Sequence, residues 1–300
     1  MSFEPNSSFE VAHAEYSHRV TIDDLGGRRV SPQGHGRVLP CLGDSFTFGV
    51  GVKDEETFVS LLQSRVPVRL VNLGVPGSAL HTQRRILEGR FSELGSPGRV
   101  VVFFFLGNDF EDLRKAGEAP SDLPSQHRGV PWLVNDLVNN SPLRRSYLLQ
   151  SIKHGLLKRA PDQPRNPVFW LMDTRNTAYL EQASRALATE VHTWSRLRES
   201  LEVTPLFVLI PDVHQIDQRR RELQAGFYGI PQDSLHASRP NRVAAQALGR
   251  AGFEVVDVTE ELSQDGSRGL YYVNDNHLTA AGHARFAQCV GAKIADWLAR

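Results

Sequence analysis

Five short apolar runs are the feature that most narrows what this chain can fold into. They are rich in Val, Leu and Phe, and they do not alternate between apolar and polar residues. A strand with one face in water alternates, so a continuous apolar run is typical of a strand buried on both faces of a parallel sheet. The runs cover residues 38–42, 68–73, 100–106, 206–210 and 253–258.

Helical patterns lie between and after these runs. The predicted helices cover residues 56–65, 82–89, 180–200, 239–251 and 280–299. Strands that alternate with helices place helices on both faces of a parallel sheet. We therefore predict an α/β fold, a three-layer α/β/α sandwich with a five-stranded parallel sheet.

Two segments stand outside this alternation. Residues 1–36 are polar and turn-rich and predict an irregular or β-hairpin lead-in to a domain that spans residues 37–300. Residues 110–178 carry several prolines and no clear strand, which indicates a mostly helical insertion. Within it, residues 141–160 are basic and have no acidic residue; a helix with a solvated basic face is favoured over a membrane-surface or partner-docking helix. The insertion either packs on the domain or covers the site as a lid.

Composition excludes several classes of protein. Lys plus Arg and Asp plus Glu both number 34, and this balance argues against a dedicated nucleic-acid binder. No apolar run approaches the length of a membrane span, and residues 1–6 do not resemble a secretory signal. A cytoplasmic location is therefore expected, with a periplasmic or secreted one as the alternative if the natural protein carries an anchor. Cys41 and Cys289 lie in apolar surroundings and are predicted to be reduced core residues.

The strongest local motif follows the first apolar run, where residues 42–49 are Leu-Gly-Asp-Ser-Phe-Thr-Phe-Gly. Ser45 falls just past the carboxyl end of a buried strand, where α/β proteins bind ligands. The flanking glycines permit a sharp turn and the close approach of a substrate. A serine hydroxyl is a weak nucleophile unless a base takes its proton. Taken alone, Ser45 is explained equally well as a helix cap.

Two further strand ends carry candidate hydrogen-bond donors. Gly77 follows the second apolar run and offers a backbone N–H, and Asn108 follows the third and offers a side-chain amide. An acyl-transfer site needs donors where the carbonyl oxygen becomes negative. Together with the Ser45 N–H, these groups form a candidate oxyanion hole, although turn geometry or capping would explain each residue separately.

The candidate base lies near the C-terminus, just before the last predicted helix. His277 has a carboxylate two residues earlier, at Asp275. Such a carboxylate fixes the imidazole tautomer and leaves the other ring nitrogen to accept a proton. The commoner role of any one of the 11 histidines is a satisfied surface or capping residue. His283, six residues further on, is predicted to pack within the helix.

The chain resembles an SGNH hydrolase of the GDSL esterase and lipase superfamily. Residues 43–45 match the first block of that family, Gly77 the second, residues 107–109 the third, and Asp275 with His277 the last. The matches keep the family's order over residues 38–285, and the first block looks most like that of bacterial members with a GDSFTFG-type sequence. The resemblance implies a flavodoxin-like sheet, a serine nucleophile and no metal.

One position departs from the family's pattern. Many members place the orienting Asp three residues before the His, and that position is Asn274 here. Asp275, at minus two, is given the orienting role, and Asn274 stays as the alternative. An amide at that place would make a weaker base, because it has no charge to stabilise an imidazolium.

The predicted function is a serine esterase that acts on a small-molecule or glycan ester with Ser45, His277 and Asp275 as its triad. An O-acyltransferase is an alternative, because the same triad can catalyse both reactions. A non-catalytic binding protein on the same fold is a second alternative. No spacing of His or Cys residues indicates a metal site, and residues 49–52 are not a dinucleotide fingerprint, so no cofactor is expected.

Overall fold

A five-stranded parallel sheet forms the centre of the protein in a computed structural model that describes residues 3–117, 166–264 and 268–300. An antiparallel hairpin precedes it. The hairpin strands are β1 (Ser8–Ala12) and β2 (Ser17–Thr21). The sheet strands are β3 (Val38–Gly43), β4 (Arg69–Gly74), β5 (Arg99–Phe105), β6 (Thr204–Ile210) and β7 (Glu254–Asp257). The prediction of a five-stranded parallel sheet is confirmed.

Helices connect the strands. Those in the first half of the described chain are α1 (Ser45–Phe48), α2 (Phe58–Gln63), α3 (Leu80–Arg90) and α4 (Asp109–Gly117). The next are α5 (Pro167–Met172), α6 (Thr177–Ser200), α7 (Val213–Ile216) and α8 (Gln218–Tyr228). The last are α9 (Arg239–Arg250), α10 (Thr259–Gln264) and α11 (Ala280–Ala299).

Both faces of the sheet are buried, which explains why its strands do not alternate in sequence. Successive side chains of a strand point to opposite faces. In β5, Val101 and Phe103 pack with α2 and α11, whereas Val102 and Phe104 belong to the apolar cluster that includes α3, α6 and α9. Each fully buried side chain of this size stabilises the fold by about 1.5–3 kcal/mol. The predicted three-layer sandwich is confirmed.

The order of the strands positions the site. The sheet runs β4-β3-β5-β6-β7, which is the flavodoxin-like order. The chain builds outward in one direction from β3 to β4 and in the other from β5 to β7, so the order reverses between β3 and β5. Ligands of doubly wound folds bind at the carboxyl ends of the strands at such a reversal. Ser45 follows β3 there and Asn108 follows β5.

The segment before β3 packs along the same end of the sheet. Arg28 is fully buried, forms an ion pair with Asp54, and donates to the carbonyl oxygens of Phe48, Gly49 and Val52. Because a buried guanidinium must be paired and hydrogen-bonded, these contacts both satisfy Arg28 and hold the chain that follows Ser45.

Several helical regions differ from the sequence prediction, and the short helices α7 and α10 were not among those predicted. The predicted helix at residues 56–65 is a 3-10 turn, Asp54–Glu56, followed by α2. Thr57 separates them because its backbone is extended and its hydroxyl caps Ser60 N–H at 3.2 Å. Helix α8 was not predicted, and only Ala225 of its side chains is buried, so its sequence has no apolar stripe to reveal it.

Most of the predicted insertion at residues 110–178, including the basic segment at 141–160, lies outside the described residues. Its described parts are α4, α5 and the connection from α5 to α6. No helix within residues 3–117, 166–264 and 268–300 is both long enough and apolar enough to cross a bilayer.

A close approach of two backbones fixes the position of α1, and it gives a stability prediction. A Cβ on Gly74 would lie 2.3 Å from Phe48 N and 2.7 Å from the Thr47 carbonyl carbon. We expect Gly74→Ala to lower the free energy of unfolding by about 1–3 kcal/mol, because backbone cannot move aside as a side chain can. Urea denaturation measures this.

The matched control is Gly89→Ala in α3, where a Cβ meets nothing within 4 Å. Alanine is the better helix former, so this variant should be unchanged or more stable by up to about 1 kcal/mol. Equal stability of Gly74→Ala and the wild type would contradict the packing argument.

Candidate active site

The turn from β3 into α1 presents Ser45 at the edge of the sheet. Asp44 caps the helix, since its Oδ1 accepts from Phe46 N–H at 2.9 Å. Gly49 ends the helix after one turn with a left-handed φ of 85°, a conformation that favours glycine. Ser45 is therefore the first helical residue, and its side chain is half-buried at the site.

A short loop before α11 brings His277 to the same place. Tyr271 and Leu278 pair across its base, and Tyr272 N–H donates to the His277 carbonyl at 3.0 Å. Thr279 then caps α11 by accepting from Gly282 N–H at 3.1 Å. The loop thus has a fixed base that includes the His277 backbone, and Asp275 lies nearer its tip.

Three side chains form a hydrogen-bonded chain at this point. His277 Nε2 lies 2.7 Å from Ser45 Oγ, and His277 Nδ1 hydrogen-bonds Asp275 Oδ1. Asp275 Oδ1 also accepts from the His277 backbone N–H at 3.2 Å. An ionised carboxylate only accepts, so Nδ1 carries the ring proton and Nε2 is left to accept from the Ser45 hydroxyl. This arrangement can activate a serine nucleophile.

The electrostatics of Asp275 favour its charged form. Burial opposes ionisation, but the hydrogen bonds from His277 and Tyr16 and the charge of His277 outweigh it and lower the pKa of Asp275 to about 2. Burial, and then the hydrogen bond to Asp275, raises the pKa of Tyr16 above its ordinary value, so Tyr16 keeps its proton and donates. Asp275 is therefore a carboxylate over the whole neutral range.

Two buried carboxyl groups near Ser45, on Asp44 and Asp109, both have raised pKa values. Burial raises the pKa of Asp44 to about 6, although the Phe46 N–H and the charge of His277 act to lower it. Burial and then the charges of Asp44 and Asp112 raise the pKa of Asp109 well above its ordinary value. Asp109 therefore favours its neutral form, which limits the negative charge packed behind Ser45.

A family model of the GDSL-like lipase/acylhydrolase family matches residues 41–285 of this chain. That range contains the loop of Ser45, the loop of His277 and the whole parallel sheet except the start of β3. The chain belongs to this family. The resemblance inferred from sequence is thereby confirmed, and no curated protein sequence matches the chain.

Several solved structures are similar to this chain of the GDSL-like lipase/acylhydrolase family. TesA is 16% identical, with 86% of this chain and 98% of that chain covered and a TM-score of 0.45. LAE5, an alpha/beta hydrolase enzyme from the metagenome of Lake Arreo, Spain, is 16% identical, with 87% and 97% covered and a TM-score of 0.44. A catalytic mutant of Axe2, an acetylxylan esterase from Geobacillus stearothermophilus, is 17% identical, with 87% and 95% covered and a TM-score of 0.42.

The two remaining candidate residues, Gly77 and Asn108, follow β4 and β5, the strands on either side of β3. Gly77 is exposed with a φ of 75°, in a loop tied to β3 because Val75 N–H and Ser78 Oγ both bond the Gly43 carbonyl at 2.9 Å. Asn108 Nδ2 donates to Asp112 Oδ2 at 2.5 Å, which uses one of its two amide hydrogens. No described residue accepts the other.

Sequence reasoning missed Glu15 and Tyr16, which contact the His277 loop from the turn of the β1–β2 hairpin. No local pattern marks them, since they lie 260 and 259 residues from Asp275. His283 is buried, and its Nδ1 accepts from Phe58 N–H at 3.1 Å. Burial and then the charge of Arg28 lower the pKa of His283 to about 3, so this second histidine of the segment is neutral.

Proposed function

We propose that the protein is a serine esterase that cleaves a carboxylic ester through an acyl-Ser45 intermediate. The family supports a hydrolase, and the carrying observation is the hydrogen-bonded chain from Ser45 Oγ through His277 to Asp275. A serine beside a base that a carboxylate orients is the arrangement by which hydroxyl groups become nucleophiles in acyl transfer. A purely binding role has no need of an oriented base on a serine.

In the first half-reaction, Ser45 Oγ forms a bond to the ester carbonyl carbon as its proton passes to His277 Nε2. The carbonyl oxygen becomes a tetrahedral oxyanion. When that intermediate collapses, the bond to the leaving oxygen breaks and His277 returns its proton to the alkoxide, which departs as an alcohol. Asp275 stabilises the imidazolium by its charge, and its low pKa means that it does not take the proton itself.

In the second half-reaction, a water molecule gives a proton to His277 as its oxygen attacks the acyl-Ser45 carbonyl. Collapse breaks the bond to Ser45 Oγ, which recovers its proton from His277, and the carboxylic acid leaves. An acceptor alcohol in place of water would give a new ester. Hydrolysis of p-nitrophenyl acetate, with and without an added sugar alcohol, therefore tests the proposal and also measures how the acyl group partitions. No turnover by the wild type with any short-chain ester would overturn it.

The proposed oxyanion hole consists of Ser45 N–H, Gly77 N–H and the Asn108 amide. No described residue accepts a hydrogen bond from either of the two backbone N–H groups. Unpaired donors at strand ends around a nucleophile suit an oxygen that becomes negative only during reaction. Gly77 also leaves the space beside its Cα open, since a Cβ built there meets nothing within 4 Å.

Asn108→Ala should lower kcat by about two to three decades and change KM much less, because this donor is used most in the transition state. Steady-state kinetics with a short-chain ester measure both constants. Asp112→Ala is the control, since it removes the Asn108–Asp112 hydrogen bond but keeps the amide. If the two variants lost the same activity, Asn108 would serve α4 and not the oxyanion.

A further inference from the structure

We propose that Glu15 and Tyr16, at the turn of the N-terminal hairpin, are positioning residues that clamp the Asp275–His277 loop onto Ser45. This inference rests on the proposed esterase function and adds a part that none of the four family blocks contains. The hairpin lies outside the matched range of residues 41–285. Two sets of contacts carry the inference independently.

The first set of contacts consists of three hydrogen bonds that the Glu15 carboxylate accepts from successive backbone N–H groups. Glu15 Oε1 accepts from Val273 N–H at 2.8 Å, and Glu15 Oε2 accepts from the N–H groups of Asn274 and Asp275 at 2.9 Å each. Hydrogen bonds to a charged acceptor are stronger than neutral ones. Three from one side chain fix the backbone directly before the acid–base pair.

The second set of contacts involves the Tyr16 hydroxyl, which binds the Asp275 oxygen that does not contact His277. Tyr16 OH donates to Asp275 Oδ2 at 2.5 Å, while Oδ1 is bound to His277. Both oxygens of Asp275 are thereby held, and the carboxylate plane is fixed relative to the imidazole. Tyr16 also packs against Tyr272, with ring centroids 5.0 Å apart, and Tyr272 OH donates to the Gly51 carbonyl at 2.7 Å.

The loop needs such support because its tip is exposed. Val273 is 72% exposed, and Asn274 and Asn276 are exposed as well. An exposed turn with few buried contacts opens readily. A base that drifts by about 1 Å from its nucleophile loses about two decades of rate. The tip of the loop has little apolar burial to hold it in place. The contacts from the hairpin therefore restrain it instead.

Amide hydrogen exchange tests the backbone half of the clamp without any need for activity. The amides of residues 273–275 should be protected in the wild type and should exchange at least about tenfold faster in Glu15→Ala. Glu15→Gln keeps one carbonyl acceptor and should fall between the two. Glu10→Ala is the matched control, since Glu10 lies on the same hairpin and pairs with Arg19 at 2.9 Å, on the hairpin itself. Exchange equal in the wild type and Glu15→Ala overturns this half.

The titration of His277 tests the side-chain half. Besides Tyr16, the described titratable groups that interact with Asp275 or His277 are Glu15, Tyr272, Asp44 and His283. Without the Tyr16 donor, Asp275 has more charge left to stabilise the imidazolium, so the acidic limb of kcat/KM in Tyr16→Phe should move up by about 0.5 pH unit. We expect kcat to fall about tenfold, the effect of losing one hydrogen bond to a charged group, with KM nearly constant.

The control for Tyr16→Phe is Tyr179→Phe, which also deletes a tyrosine hydroxyl that donates to a carboxylate, here Glu111 Oε2 at 3.1 Å. Its acidic limb should stay in place. The ring-proton resonances of His277 report the same shift by NMR in an inactive protein. An unshifted His277 titration in folded Tyr16→Phe overturns the side-chain half. A wild type that turns over no ester contradicts the proposed function alone, because exchange and NMR still decide the clamp.

Discussion

Ser45→Ala should abolish ester turnover, with a loss of three or more decades in kcat, while the free energy of unfolding stays close to that of the wild type. The loss is large because the members of a triad act as a unit, and removal of the nucleophile leaves only binding and the oxyanion donors. The fold should persist because Ser45 is half-buried and Asp44, not Ser45, caps α1. Initial rates with a chromogenic ester, together with urea denaturation, measure both.

Covalent labelling gives the same assignment by a route that does not depend on finding the natural ester. A serine-directed phosphonate should add to Ser45 in the wild type and to no residue in Ser45→Ala, as read by peptide mass spectrometry. Ser64→Ala, at an exposed serine on the C-cap of α2, is the control and should label as the wild type does. Adduct on a different serine would contradict the assignment.

Asp275→Asn should lower kcat by about four decades, whereas Asn274→Ala should cost little. The carboxylate holds the proton of the imidazole on Nδ1, and an amide in its place can donate to that nitrogen and so favour the tautomer that cannot accept from Ser45. Asp275 bonds His277 through both the ring and the backbone N–H, while the Asn274 N–H is bound to Glu15 at 2.9 Å.

Steady-state rates of the two variants across pH measure the difference. Both substitutions lie in one exposed loop, so each variant is a control for general damage by the other. A larger loss in Asn274→Ala than in Asp275→Asn would show that His277 is oriented from the family's usual position and that the contact with Asp275 is incidental.

The sheet was predictable because its physical cause is local. Each strand has apolar residues on both faces, as β5 shows with Phe103 and Phe104 on opposite sides. A strand of this kind is visible in the sequence as a continuous apolar run. Helix α8 could not be predicted in that way. It buries only Ala225, and its ends are set by a cap at Asp217 and a left-handed Gly229, which resemble any polar turn in a single sequence.

Part of the candidate site was predictable from local sequence, and part was not. Ser45, Asp275 and His277 sit in recognisable turns, so the motifs located them, and strand order explains why Ser45 and Asn108 flank one reversal. The choice between Asp275 and Asn274 depends on how the loop curls, which a spacing rule does not describe. Glu15 and Tyr16 contact Asp275 from 260 and 259 residues away in sequence. No periodicity within residues 1–36 indicates a contact with so distant a residue.

These sequence separations have a consequence for the order in which the protein becomes active during its synthesis. Ser45 and His277 are 232 residues apart, and the loop of His277 leads into α11, whose Phe286 packs on Phe58 with ring centroids 4.9 Å apart. A nascent chain that has already formed β3 and its serine still lacks a base. Because ribosomes deliver the chain from its N-terminus, the hairpin has no partner until the His277 loop emerges. The candidate site is therefore expected to assemble only after α11 can pack on the sheet.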